Sequence, residues 1–200
     1  VQRWLVVMAK EPRAGRVKSR LARKIGVAEA TRFYRVTLDA LGRSIARDPR
    51  WQTVFAVAPD GAVEAPVWPD RIPVIGQGAG DLGERMQRIM DAMPPGPVVI
   101  VGSDIPGLTG TRIEEAFRLL GANDAVFGKA RDGGFWLVGL KRRPHVPRIF
   151  GHVRWSTGKA LKDTLRNCRS LDVGFAATLA DVDRRTDWKK WRRGRLNGAT

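Results

Sequence analysis

The run Val98-Val99-Ile100-Val101, followed by Gly102-Ser103-Asp104-Ile105-Pro106, constrains this chain more than any other stretch. Four consecutive β-branched apolar residues, ended by a small turn-prone pair, are too few for a buried helix and lack the alternation of a half-exposed strand. They read as a strand covered on both faces. Such strands belong to parallel sheets flanked by helices, which sets an α/β fold class. Asp104 then falls at the strand's carboxyl end, where open α/β sheets bind ligands. A carboxylate there suits a divalent cation held against a diphosphate, because hard cations prefer oxygen ligands. The competing role for Asp104 is to cap the next helix, but Thr109 and Thr111 are also available for that.

With 200 residues, 43% of them hydrophobic, the chain can build one real core, and we expect a single domain over residues 1–200. No apolar run nears the roughly 18 residues that cross a bilayer. A strand-like pattern starts by Trp4, which leaves no room for a signal peptide, so the expected location is cytoplasmic. Cys168 has no partner for an internal disulfide and lies in an amphipathic stretch, where a buried, inert thiol is expected.

A net charge of +16 attracts anions of every kind: nucleotides, nucleic acids and phospholipid surfaces. Arg outnumbers Lys 27 to 9, and the cations are scattered along the chain, as a compositional bias laid over an anion-binding enzyme would leave them. No zinc-finger spacing, aromatic RNA-binding strand or helix-turn-helix pattern is present, so nucleic acid is not the expected partner. The densest cluster, Trp188-Lys189-Lys190-Trp191-Arg192-Arg193, reads as a terminal helix docking its two tryptophans on the core.

Strand-like segments at Trp4 to Met8, Thr53 to Val57, Ile72 to Ile75 and Val98 to Val101 alternate with helical periodicity over Val27 to Arg47, Leu82 to Met93 and Ile113 to Leu120. Ala125 to Phe127 and Phe135 to Leu140 then flank a tight Asp132-Gly133-Gly134 turn. Beyond it follow a helix near Thr157 to Asn167, a short strand near Leu171 and the basic terminal helix. The alternation predicts a three-layer α/β/α sandwich with a mainly parallel sheet.

The first strand runs into residues 9–21, a loop carrying five cations between Ala9 and Leu21. Such a loop leads to a helix amino end, which favours phosphate, and Arg can grip phosphate oxygens bidentately while Lys18 acts as a movable point charge. Gly78-Ala79-Gly80-Asp81-Leu82-Gly83 satisfies G-x-G-x-x-G, but it follows the third strand at a distance, against a dinucleotide site. Gly151 to Lys159 has the wrong spacing for a P-loop, His145 and His152 are isolated, and Ser103 lacks the frame of a hydrolase nucleophile. Asp132 can serve an acceptor or simply the turn. Asp181 and Asp183 share a face if their segment is extended, and with Asp104 could complete a metal site.

Taken together, these blocks resemble the GT-A-like nucleotide-diphospho-sugar transferases, and among them a bacterial glycosyltransferase family linked in part to arsenosugar biosynthesis. The resemblance spans nearly the whole chain. It rests on Ala9-Lys10-Glu11-Pro12 with Gly15, Lys18 and Arg20, on Gly80-Asp81-Leu82-Gly83-Glu84-Arg85-Met86, on Gly102 to Pro106, on Asp132 to Phe135, and on Asp181-Val182-Asp183. It implies a metal-dependent glycosyltransferase using Mg²⁺ or Mn²⁺, a nucleotide-diphospho-sugar donor and a small-molecule acceptor. By the same resemblance the nucleotide-binding residues would be Ala9, Lys10, Glu11, Gly15, Lys18, Arg20, Asp81 and Arg85. Asp104 would hold the metal and Asp183 could supply a second ligand. Asp104 is then a catalytic candidate, and Asp132 is a second one, for acceptor binding or as general base, since an acceptor hydroxyl needs a proton acceptor within reach. The G-x-G-T-x-x-R signature of sugar nucleotidyltransferases is absent, which weighs against a nucleoside triphosphate and pyrophosphate release. A non-enzymatic module for nucleic acid or another anion is the distant alternative.

Overall fold

The computed structural model describes residues 1–179, 182 and 185–197. Seven strands, β1 (Trp4–Lys10), β2 (Gln52–Ala58), β3 (Val74–Gly76), β4 (Val98–Gly102), β5 (Ala125–Ala130), β6 (Phe135–Leu140) and β7 (Val173–Leu179), form one sheet in the order β3-β2-β1-β4-β6-β5-β7. Every pairing is parallel except those of β6, which runs antiparallel to both neighbours. The apolar run that predicts a doubly covered strand is β4, buried from Val98 to Val101.

Alternate residues of each strand feed opposite layers. Leu5, Val7, Val99 and Val101 pack beneath α2 (Val27–Ser44) and α4 (Gly110–Ala122) through Leu38, Leu41, Ile113 and Phe117. Val6, Val98 and Ile100 face α3 (Leu82–Ala92) through Met86, Ile89 and Met90, and α5 (Ala160–Asn167) covers the same side through Leu161 and Leu165. The result is the expected three-layer α/β/α sandwich. A satellite core of Leu21, Ala30, Phe33, Val182 and Trp188 joins α1 (Ser19–Ile25), α2 and α6 (Arg185–Asn197). The terminal helix therefore docks Trp188 and Trp191 as its sequence predicts.

Several boundaries differ from the sequence reading. The basic first loop closes into α1, which Gly26, at φ 89°, separates from α2. The third strand begins at Val74, because Pro73 at its entry has no N–H to give to a ladder. The last strand lies after Leu171, over Val173–Leu179. Thr109, whose hydroxyl accepts the Arg112 N–H, caps α4, so Asp104 is not that helix's cap. Cys168 is buried, and burial pushes its thiol up to about 11, in keeping with an inert side chain.

β1 and β4 are adjacent, while the chain leaves them toward opposite edges of the sheet: this is the topological switch point. Tyr34 of α2 reaches over it. Its hydroxyl accepts the Lys10 N–H at 2.8 Å and shares a 2.8 Å hydrogen bond with Ser103 Oγ, tying the ends of both strands to one helix. Burial pushes this phenol up to about 12, so it stays neutral and keeps its proton for the bond. Tyr34→Phe strands two polar groups at these strand ends. We expect a loss of about 1–3 kcal/mol in unfolding free energy, measured by urea titration of both proteins.

Candidate functional site

A cleft of about 630 Å³ opens at the carboxyl ends of β1 and β4. It collects residues from four of the five blocks singled out in the sequence: Ala9, Lys10, Lys18 and Arg20 from the first loop and α1, Asp81 and Arg85 from the start of α3, Asp104 after β4, and Asp132 from the turn between β5 and β6. Glu11 and Gly15 do not line it. Glu11 instead pairs with Arg13 at 2.7 Å, and Gly15, at φ 75°, turns the loop in open space. Asp181 and Asp183 lie outside the described residues.

The centre of the cleft is an ion pair. Lys18 Nζ lies 3.0 Å from Asp104 Oδ2, across 86 residues of sequence. The two side chains differ in access, with Lys18 only 6% exposed and Asp104 30%. Lys18 is therefore not the movable charge expected from the sequence. Its backbone is held in the left-handed region at φ 47° and its ammonium lies 6.0 Å from the Phe33 ring centroid. A cation fixed beneath a carboxylate orients it and leaves its solvent side open to the cleft. The exposed cations of this wall are Lys10, Arg16 and Arg20. Arg16 received no separate role in the sequence reading, since nothing in a basic loop marks which cation turns inward.

The opposite wall is braced from below. Asp81 and Glu84 form a reciprocal capping box at the start of α3, at 2.9 and 2.7 Å. Arg85 Nε donates to the Gly80 carbonyl, and Arg88 donates to those of Gln77 and Ala79. The glycines of the G-x-G-x-x-G look-alike thus serve a turn into α3, with Gly78 and Gly80 at positive φ. Buried Gln77 donates its amide to the carbonyls of Ala9 and Ala56, fixing the ends of β1 and β2 under the cleft floor. Ser103 is buried, with its hydroxyl engaged by Tyr34.

At the far end, Asp132 Oδ1 accepts the Gly134 N–H at 2.9 Å, and Gly133 takes φ 88°. A Cβ at Gly133 would overlap the Gly158 carbonyl, so only glycine lets this turn meet the following loop. That loop carries Trp155 into the cleft wall, packed on Phe135 and Phe150. Arg154 holds it to α5 through a two-pronged pair with Asp163 at 2.7 Å on each arm. Among the described residues, no three His, Cys, Asp or Glu side chains cluster as a metal site, and no helix is long and apolar enough to cross a membrane.

The fold is that of the GT-A-like nucleotide-diphospho-sugar transferase superfamily. The chain belongs to the DUF2064 family, described as an uncharacterized protein conserved in bacteria, whose profile matches residues 37–157. A crystal structure from Desulfovibrio desulfuricans G20, provisionally named a nucleotide-diphospho-sugar transferase, is 28% identical, with a TM-score of 0.86 over 98% of this chain and 89% of that one. The Rv0371C protein of Mycobacterium tuberculosis H37Rv, solved in complex with manganese, shares the fold at 18% identity and a TM-score of 0.56, covering 96% of this chain and 98% of that one. So does the 4-diphosphocytidyl-2C-methyl-D-erythritol synthase of Anaerococcus prevotii DSM 20548, at 11% identity and a TM-score of 0.60, covering 98% of each chain. Among curated proteins, none matches this sequence significantly.

The Arg154 guanidinium beside Asp163 holds that carboxyl well below the usual carboxylate range. A depressed folded value means the pair stabilises the protein fully above the unfolded carboxyl value of about 4, with the contribution lost as pH falls toward the folded one. The melting-temperature gap between the parent and Asp163→Asn, measured by calorimetry, is expected to be widest near neutrality and to shrink below about pH 4.

Proposed function

We propose that this transferase moves a sugar from a nucleotide-diphosphate donor to a small acceptor, using Mg²⁺ or Mn²⁺. The observation that carries the reading is the Lys18–Asp104 pair at the switch point, an oriented carboxylate facing a cleft whose near wall carries Arg16 and Arg20. The donor set fits such a cation. Mg²⁺ is commonly held by one or two carboxylates, with substrate phosphates and water completing its shell, and Asp104 offers its 30% exposed carboxylate to the cleft. We assign Asp183 as the second carboxylate on the strength of the sequence resemblance. When bound, the cation supplies charge stabilisation to the leaving diphosphate.

The chain's own residues do the rest. Lys18 positions Asp104 and adds positive charge beneath the diphosphate, while Arg20 and Arg16 bind its oxygens from the solvent side. Ala9 and Lys10, whose backbone is fixed by Gln77 and Tyr34, frame the nucleotide at the end of β1, opposite Asp81 and Arg85. Glu11 and Gly15 shape this loop without entering the cleft. Asp132, held in an Asx turn by the Gly134 N–H, accepts the proton of the acceptor hydroxyl as that oxygen attacks the sugar carbon.

Asp104→Asn keeps the shape and removes the charge. We expect turnover to fall roughly 100- to 1000-fold and Mn²⁺-dependent binding of nucleoside diphosphate, followed by calorimetry, to disappear. Unchanged turnover refutes the assignment. The product decides the reaction class: nucleoside diphosphate released from a sugar nucleotide supports glycosyl transfer, whereas pyrophosphate released from a nucleoside triphosphate would establish nucleotidyl transfer.

Asp132→Asn is expected to lower turnover by roughly 100- to 10,000-fold while nucleotide affinity stays within about twofold. Equal losses in affinity and turnover would instead make Asp132 a donor-binding residue.

A further inference from the structure

The fold gathers cations that the sequence keeps apart. Over residues 13–35 and 185–193, thirteen Lys and Arg stand against two acids, Glu29 and Asp187, so thirty-two residues carry +11 of the chain's net +16. These segments are the loop into α1, α1 itself, the first half of α2, and α6, whose inner sides share the satellite core. Trp191 of α6 meets Phe33 of α2 edge-on at 4.7 Å, which locks the basic helices side by side. Arg23, Lys24, Arg32, Lys189, Lys190 and Arg193 are exposed on the outside. Arg13 and Lys18 are paired by acids outside these segments, Glu11 at 2.7 Å and Asp104 at 3.0 Å, whereas Glu29 lies 3.9 Å from Arg32, the outer limit of an ion pair, and neutralises little of the remaining field. So much like charge on one face opposes the folded state by self-repulsion, a cost that an anionic partner removes.

Two observations favour a lipid surface over a nucleic acid. Val27, 46% exposed, forms an apolar tip at the corner between α1 and α2, three residues after Lys24. An exposed apolar side chain close in the chain to exposed cations, here Arg23 and Lys24, suits the headgroup layer, where the cations meet acidic lipids. Single-stranded nucleic acid is held by bases stacking on aromatic rings, and none of the exposed large apolar side chains among the described residues of these helices is aromatic. We propose that the face formed by α1, the start of α2 and α6 docks the protein on an anionic phospholipid surface. Because α1 also turns Arg20 into the cleft, docking sets the cleft's near wall beside the headgroups. The proposal holds whatever group the cleft transfers.

The experiment is co-sedimentation of the full chain with phosphatidylcholine vesicles, with and without about one third phosphatidylglycerol, across a salt series. Three proteins are compared: the parent, a variant carrying R23Q, K24Q, K189Q and K190Q, and a control that loses the same charge elsewhere through R118Q, R143Q, K162Q and R169Q, with melting curves confirming that all are folded. Each cation near such a surface contributes about 1 kcal/mol, roughly fivefold in affinity. The expected result is binding only to the phosphatidylglycerol vesicles, weakened by salt, reduced roughly 100-fold or more in the first variant and far less in the control. Failure of the parent to bind, equal losses in both variants, or tighter binding to a single-stranded oligonucleotide than to the vesicles would each overturn the proposal.

Discussion

Parallel strands that end side by side leave their last backbone groups without a ladder partner, and at the mouth of this sheet the deficit is met by Tyr34. Its buried hydroxyl bridges the Lys10 N–H at the end of β1 and Ser103 just after β4. Beyond those contacts the chain leaves the two strands toward opposite edges of the sheet, so this bond ties them together at the point of divergence. The placement of Asp104 over Lys18 follows from it: one side chain comes from the loop after β4, the other from the loop after β1. Gln77 performs the same service one strand further along, holding the carbonyls of Ala9 and Ala56.

The ion pair in the cleft illustrates how burial divides labour between two opposite charges. Lys18, nearly enclosed, gains its stabilisation from Asp104 and offers little of itself to a ligand, whereas Asp104 keeps solvent access on its outer side. An oriented carboxylate at a switch point is a useful ligand because its position is set before anything binds. The flexible part of charge compensation then falls to exposed arginines, whose planar forks suit phosphate oxygens. The far wall, made of the Asp132 turn, the Gly133–Gly158 contact and the loop latched by Arg154 and Asp163, is rigid for a separate reason: a tight backbone approach that tolerates no side chain.

Much of the architecture was legible because doubly buried strands and amphipathic helices leave different periods in the sequence. Val98 to Val101 named its own strand, and the position of Asp104 followed from it. The same local logic failed where a residue's role depends on a distant partner. Tyr34 reads as one more apolar position on a helix face, since periodicity cannot distinguish a ring that packs from a ring whose hydroxyl bridges two strands. Gln77 reads as a loop residue. Asp81 and Glu84 looked like part of a functional block, and their capping box shows that the pair also has a purely helical duty.

The charge distribution marks the boundary between the two kinds of information most clearly. From the sequence alone came the α/β class, the mainly parallel sheet, the basic first loop and the carboxylate at a strand's end, because each depends on contacts or propensities within a few residues. Only the tertiary structure decided that Lys18 and Asp104 touch, that Glu11 and Gly15 stay outside the cleft, and that the basic helices α1, α2 and α6 pack around one satellite core. Those outcomes require bringing together segments separated by tens of residues. That step depends on burying the apolar sides of the elements, and the polar residues they carry are set in place by it.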